Sequence, residues 1–148
     1  MSEDLRAVAA AIFSSDENRV LSILRPNDPN DPLAGFWGLP ANSYLLTEEE
    51  IDAAKRIGPE KLGTPTIPVE RLGELQGQRA LGILTLGLWR CNMPEEPDFA
   101  KRVVIPGKSQ YVAWEWKKPE ELVTSASRGS LCSGVLLNHL HIPYGKSR

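Results

Sequence analysis

Alternating apolar and polar stretches predict that the chain begins with strands. Leu5–Phe13 is apolar and β-prone, Ser14–Asn18 is a turn-rich break, and Val20–Leu24 is apolar again. Two β-prone runs joined by a short polar turn indicate a β-hairpin. The next stretch, Arg25–Leu33, contains three prolines and no periodicity. It predicts a loop, because proline fixes φ and removes a backbone donor.

A helix is predicted to follow this loop. Thr47 and Glu50 have the spacing of a capping box, in which each side chain bonds the other residue's backbone amide. Gly58-Pro59 should interrupt the helix, since the Pro59 ring clashes with a carbonyl of the preceding turn. Gly63 suits a helix C-terminus, where a left-handed residue is common.

The second half of the chain adds further strands and two helices. Strands are predicted at Thr66–Leu75, Ala80–Cys91, Lys101–Ile105 and Gln110–Trp116. A short helix is predicted at Pro119–Leu122 and a longer one at Ser130–Leu140, with Ser130 as its N-cap. The order of strands, helix, strands, helix predicts an α+β fold, in which helices cover a mixed sheet.

Composition indicates an ordinary globular domain. The 148 residues, 41% hydrophobic and 24% charged, predict a single domain over residues 1–148 with an ordered core of about residues 5–142. Apolar runs fall short of the roughly 20 residues that span a bilayer. The first residues lack the basic region of a signal peptide. We therefore expect a cytoplasmic protein that does not bind membranes.

Charge and cysteine usage narrow the functional classes. The net charge of −2 argues against broad electrostatic binding of nucleic acid, although a local arginine cluster could still hold a small polyanion. Cys91 and Cys132 are far apart and have no metal-ligand spacing, so we interpret both as buried thiols. His139 and His141 have no acid–nucleophile pattern around them and are interpreted as structural.

The segment after the proline-rich loop contains the most informative motif. Trp37–Pro40 reads WGLP, and Glu48, Arg56, Glu60 and Gly63 follow it. This spacing resembles the signature of the Nudix (MutT-like) hydrolase family, G-x5-E-x7-R-E-U-x-E-E-x-G-U, where U is a bulky aliphatic residue. The resemblance implies an α/β/α sandwich around a mixed sheet. It also implies hydrolysis of a nucleoside diphosphate linked to another moiety.

The same alignment shows departures from the signature. Ile57 replaces the glutamate after the arginine, and Lys61 replaces the second acid of the acidic pair. Gly58 and Thr64 stand where aliphatic residues are expected, and Asn42 stands on the opening glycine. We interpret the segment as a degenerate Nudix box, in which the acidic triplet at positions 57, 60 and 61 is reduced to one acid.

The resemblance assigns candidate roles to the surviving residues. Glu60, Arg56 and Glu48 are the candidate catalytic residues, and Glu60 is the candidate metal ligand. Mg²⁺ or Mn²⁺ is the implied cofactor if the protein is active, and none is implied otherwise. Alternatives remain open: Glu60 as a solvated acid, Glu48 as a first-turn acid favoured by the helix dipole, and Arg56 as an ordinary surface ion pair.

Ligand-binding candidates come from cationic and aromatic residues. Arg25 and Arg79 could face phosphates, Trp37 could stack on a base, and Lys61 could neutralise a phosphate where the family uses a cation. Solvated arginines and a core tryptophan are the open alternatives. An anion could also bind at the helix start after Arg128.

Three functional hypotheses remain. The first is a divergent Nudix-type pyrophosphohydrolase with a damaged metal-binding box. The second is an inactive Nudix-fold domain that binds a nucleotide or another small ligand. The third is an interaction role in a homodimer, since the family often dimerises. The metal-binding capacity of the box separates the first two.

Overall fold

The computed structural model describes residues 3–29, 31–105 and 110–145, with the backbone alone for Glu3 and Asp4. Its regular elements are seven strands and three α-helices, with short helical turns between them. In chain order they are β1 (Glu3–Ala11), β2 (Val20–Leu24), β3 (Trp37–Gly38), β4 (Ala41–Tyr44), α1 (Glu50–Ile57), a π-helical turn (Gly58–Leu62), β5 (Ile67–Arg79), β6 (Gly82–Asn92), a 3-10 turn (Phe99–Lys101), β7 (Ala113–Lys117), a 3-10 turn (Pro119–Leu122), α2 (Val123–Ser127) and α3 (Leu131–His139).

The strands form two sheets. The larger is mixed, with order β4-β1-β6-β5, and β1 runs antiparallel to β4 and parallel to β6. The smaller has order β3-β2-β7. The predicted hairpin between the first two apolar runs is observed only at its turn, where Phe13 and Val20 form an antiparallel bridge and Leu21 N donates to Ile12 O at 2.8 Å. Beyond the turn the prediction is wrong, because β1 and β2 belong to different sheets. Strand β1 uses both of its edges within the larger sheet, so β2 must pair elsewhere.

Strand β1 is buried on both faces and forms the centre of the core. Its alternate residues divide between two apolar clusters. On one face Ala7, Ala9 and Ala11 share a cluster with Leu131, Val135 and Leu136 of α3. On the other face Val8, Ala10 and Ile12 share a cluster with Ala53, Ala54 and Ile57 of α1. The mixed sheet thus lies between two helices, which confirms the predicted α+β sandwich.

The first residue of α1 attaches this helix to the sheet. The predicted capping box is wrong: the helix begins at Glu50, Thr47 lies outside it, and its N-cap makes no side-chain bond. Glu50 instead accepts bonds from Arg71 Nε and Trp89 Nε1, both at 2.6 Å. Charge-assisted bonds of this kind are stronger than a neutral cap bond, which explains why the carboxylate turns toward the sheet.

Space and charge both favour this position of the Glu50 carboxylate. Burial raises the pKa of Glu50, but the bonds from Arg71 and Trp89 outweigh it and hold the pKa below its usual 4.5. The stabilisation that comes from this lowered pKa is fully present above pH 4.5, the usual pKa of the group. It is lost as the pH falls through the lower pKa that Glu50 has in the folded protein. Gly87 on β6 provides the space that the carboxylate occupies, because a methyl group at position 87 would overlap it.

A double-mutant cycle tests this contact. We expect Gly87→Ala to cost about 2 kcal/mol in wild type, because it displaces a carboxylate with charged bonds. In the Glu50→Ala background the same substitution should cost less than about 0.5 kcal/mol, since the clash is gone. Urea unfolding of the four proteins gives the coupling energy. Additive effects would show that Gly87 does not make room for Glu50.

The end of α1 confirms two expectations. Gly63 has a φ of 73° and donates to Gly58 O at 2.8 Å, as predicted for a C-terminal stop. The predicted interruption at Gly58-Pro59 is also observed, because α1 ends at Ile57 and the chain continues as a separate π-helical turn over Gly58–Leu62. Glu60 and Lys61 lie on this wider turn, directly after the end of α1.

The predicted strand at Lys101–Ile105 is wrong. Phe99–Lys101 forms a 3-10 turn, and the next residues have no regular structure. Val103 N donates to Pro59 O at 2.9 Å, and Asp98 N donates to Leu62 O at 2.8 Å. This segment therefore supports the π-helical turn instead of extending a sheet. In the described ranges no helix is long and apolar enough to cross a membrane.

Candidate functional site

Arg56 is the centre of a charged cluster at the end of α1. Its guanidinium bonds both oxygens of Glu48, Nε to Oε2 and Nη2 to Oε1, each at 2.7 Å. Nη1 reaches Glu60 Oε2, also at 2.7 Å. The bonds to Glu48 and then Glu60 raise the pKa of Arg56 against the opposing effect of burial. The structure thus brings all three candidate catalytic residues together.

Strand β4 completes this cluster. Asn42, which is 4% exposed, donates from Nδ2 to Glu60 Oε1 at 3.0 Å. Ser43 O accepts from Arg56 Nη2 at 3.3 Å. Each of the four carboxylate oxygens of Glu48 and Glu60 therefore accepts a hydrogen bond from within the protein.

These residues do not fit a divalent metal centre. Mg²⁺ needs oxygen ligands that are available in octahedral geometry, whereas Arg56 and Asn42 engage the oxygens of both carboxylates. Ile57, at the position of a signature glutamate, is fully buried in the core. Across the described part of the chain, no group of three or more Asp, Glu, His or Cys residues is placed to hold a metal ion.

Lys61 is buried beside this cluster and faces an aromatic ring. Only 8% of the residue is exposed, and Nζ lies 5.6 Å from the centroid of the Tyr111 ring. Tyr111 is fixed in turn by Ala41, whose amide donates to the phenol oxygen at 2.9 Å and whose carbonyl accepts from it at 3.2 Å. Burial raises the pKa of Tyr111, so the phenol stays protonated.

Lys61, Asn42 and Tyr111 line a cavity of about 600 Å³, which we call the central cavity. It extends from β4 across the sheet to the start of α3. Its polar and charged lining residues are Arg25, Asp31, Asn42, Ser43, Lys61, Arg79, Tyr111, Arg128, Ser130 and Cys132. Its apolar wall includes Leu33, Leu84, Leu86 and Leu131.

Three of the four ligand-binding candidates line this cavity. They are Arg25, Lys61 and Arg79, which lie on different elements. Arg25 Nε bonds Asp31 Oδ2 at 2.8 Å. Burial raises the pKa of the Cys132 thiol to about 11, against a smaller opposing effect from Arg25 and Arg79.

The structure does not bring Trp37 into the central cavity. Its ring packs against the core under Lys117, whose Nζ lies 4.5 Å from the ring centroid. The aromatic side chain on the cavity wall is Tyr111 instead. Tyr111 was not among the predicted site residues, because nothing in its local pattern distinguishes it from the tryptophans that follow.

No protein-family model and no curated protein sequence matches this chain. Solved structures do resemble it. A Nudix hydrolase from Nitrosomonas europaea aligns with a TM-score of 0.72 at 17% identity, over 97% of this chain and 93% of its own. An Ap4A hydrolase from C. elegans, solved as a binary complex, aligns at 0.65 and 15% identity, over 93% and 95%.

A third likeness concerns a protein solved with a ligand. The Nudix domain of NrtR from Shewanella oneidensis, complexed with ADP ribose, aligns with a TM-score of 0.56 at 21% identity, over 98% of this chain and 81% of its own. Together these likenesses show that the chain has the Nudix fold. The resemblance inferred from the WGLP segment and the spaced charges is thus confirmed for the fold.

The Arg56 cluster makes a testable contribution to stability. We expect Arg56→Met to lower the free energy of unfolding by about 1–3 kcal/mol, because two partly buried carboxylates lose a charged donor. Arg56→Lys should recover only part of this, since the single nitrogen of a lysine cannot reproduce the bidentate bonds to Glu48 and reach Glu60 as well. The matched control, Lys55→Met on the same helix, should stay within about 0.5 kcal/mol of wild type. A loss for Arg56→Met no larger than the control would contradict the cluster's role.

Proposed function

We propose that this Nudix-fold protein binds a phosphate-bearing, nucleotide-like ligand in the central cavity, with Lys61 taking the charge-neutralising role of a metal ion. One observation carries the proposal: a buried lysine lines the cavity while the neighbouring carboxylates are engaged by Arg56. The Nudix domain solved with ADP ribose supports the same ligand class.

The charge of the central cavity supports an anionic ligand. Four basic side chains line it, Arg25, Lys61, Arg79 and Arg128, and among the described lining residues Asp31 is the single carboxylate. The whole chain, by contrast, has a net charge of −2. Two opposite unit charges 4 Å apart attract by about 4 kcal/mol near a protein surface. A bound phosphate would therefore be attracted by the basic side chains of this cavity.

Shape and polarity also suit this ligand class. Pockets that hold small molecules combine an apolar wall with a few placed polar groups. The lining of the central cavity combines four leucines with polar groups such as Asn42 and Tyr111. We infer that the leucine wall receives the less polar part of the ligand and that Lys61 and Arg79 receive its phosphates.

A second candidate is pyrophosphohydrolase activity, favoured by the position of Glu60. Asn42 lines the central cavity and holds Glu60 Oε1 at 3.0 Å, so this carboxylate lies close to the cavity wall. A carboxylate so placed could orient a water for attack on a phosphate. Two of the proteins with similar structures are named hydrolases.

Calorimetric titration with ADP-ribose, in EDTA and again in Mg²⁺, tests the proposal and separates the two candidates. We expect binding in EDTA, and a loss of about tenfold or more in Lys61→Gln, because a charged bond contributes about 1.5–3 kcal/mol. Lys55→Gln, an exposed lysine on α1, is the matched control and should bind as wild type does.

Two outcomes would overturn metal-independent binding. The first is binding of ADP-ribose that requires Mg²⁺ and is accompanied by release of AMP. If Glu60→Gln abolishes the release of AMP, the hydrolase candidate is correct. The second is the absence of binding in both buffers. Circular dichroism of each variant checks that the fold is retained.

A further inference from the structure

A second cavity adjoins the central cavity at the edge of the larger sheet. It has a volume of about 630 Å³ and lies between the end of β5, the end of α2 and the start of α3; we call it the edge cavity. Its lining residues are Leu75, Gln76, Gly77, Gln78, Arg79, Ala126, Ser127, Arg128, Gly129, Ser130, Leu131 and Tyr144. The Nudix box does not contribute to it.

The two cavities meet at a pair of arginines. Both cavities have Arg79, Arg128 and the short stretch from Gly129 to Leu131 in their walls. Arg79 is held in place by backbone carbonyls, with Nη1 donating to Gln78 O at 3.0 Å and Nη2 to Gly129 O at 3.3 Å. The guanidinium of Arg128 lies 5.3 Å from the centroid of the Phe36 ring. Both guanidinium groups are thus positioned by neutral partners.

The charge on this pair is not balanced locally. Arg25, Arg56, Arg71 and Arg90 each form an ion pair with a nearby carboxylate. For Arg79 and Arg128 the described residues provide no such pair, and the described lining of the edge cavity contains no carboxylate. In a chain of negative net charge, two arginines that line the same two cavities and have no ion pair among the described residues are suited to a phosphate, which arginine binds through paired N–H donors.

We propose that Arg79 and Arg128 form a phosphate site at the junction of the two cavities, and that the edge cavity accepts an uncharged, hydrogen-bonding group attached to that phosphate. This inference rests on the proposed function, because it extends the ligand already placed in the central cavity. The ligand then crosses the junction, with its less polar end beside the leucines and a sugar-like end in the edge cavity.

The lining of the edge cavity supports a sugar-like group. Gln76, Gln78, Ser127 and Tyr144 provide amide and hydroxyl groups that can both donate and accept. Gly77 keeps the junction open, since a methyl group there would lie 3.0 Å from both Arg79 Nη1 and Leu131 Cδ2.

Titrations with ADP-ribose and ADP, compared across variants, test this site. We expect the double variant Arg79→Gln/Arg128→Gln to weaken ADP-ribose binding about tenfold or more, since it removes two charged partners. Gln76→Trp should fill the edge cavity, so it should weaken ADP-ribose while leaving ADP within about twofold of wild type, a difference below 0.5 kcal/mol. Arg19→Gln, an exposed arginine remote from both cavities, is the matched control and should have no effect.

The outcomes distinguish this inference from the proposed function. Lys61→Gln could weaken the binding of ADP-ribose while the arginine double variant and Gln76→Trp do not. That result would contradict the phosphate site at the junction and leave the proposed binding in the central cavity supported. If Gln76→Trp weakens ADP and ADP-ribose equally, the edge cavity does not receive the second group. If neither ADP-ribose nor ADP binds the wild-type protein, both proposals are contradicted.

Discussion

Arg56 donates bonds to the carboxylates of Glu48 and Glu60 and to the backbone of Ser43, so one side chain joins three parts of the chain. It links the loop before α1, the π-helical turn after it and strand β4. A guanidinium is suited to this because its planar fork matches two carboxylates at once. The position of the Glu60 carboxylate depends on this bridge and on the bond from Asn42.

The charges on either side of this bridge explain the proposed chemistry. On one side Arg56 binds Glu48 and Glu60, the acids that a divalent cation would need as ligands. On the other side Lys61, Arg25 and Arg79 line the central cavity, where Asp31 is the one carboxylate among the described lining residues. A site of this composition attracts anions, and it does so with fixed protein cations. We therefore interpret the Nudix fold here as a scaffold for binding phosphate, with Glu60 as the residue on which any catalytic activity would depend.

The sequence predicted the features that depend on local chemistry. The left-handed stop at Gly63 and the N-cap at Ser130 follow from residue type, and both are observed. The resemblance to the Nudix signature brought Glu48, Arg56 and Glu60 into one hypothesis, and Arg56 joins them although Glu48 lies before α1 and Glu60 after it. Fold class followed from the order of elements and from the resemblance around them.

Features set by distant contacts could not be predicted in this way. Glu50 turns away from the helix start because Arg71 and Trp89, on strands far along the chain, provide stronger donors. The partners of β1 were missed for the same reason, since a strand apolar on both faces does not show which neighbours cover its edges. Trp37 has the same limitation. Until its neighbours are known, an aromatic ring is as consistent with stacking on a base as with packing in the core.

Paramagnetic broadening by Mn²⁺ in NMR spectra of the ¹⁵N-labelled protein tests the central claim most directly. If Arg56 engages the carboxylates in place of a metal, sub-millimolar Mn²⁺ should leave the amide signals of Glu48 and Glu60 unbroadened in wild type. The same titration should broaden them in Arg56→Met, where both acids lose their partner. Saturable broadening centred on Glu60 in the wild-type protein would contradict the account and establish a metal site in the box.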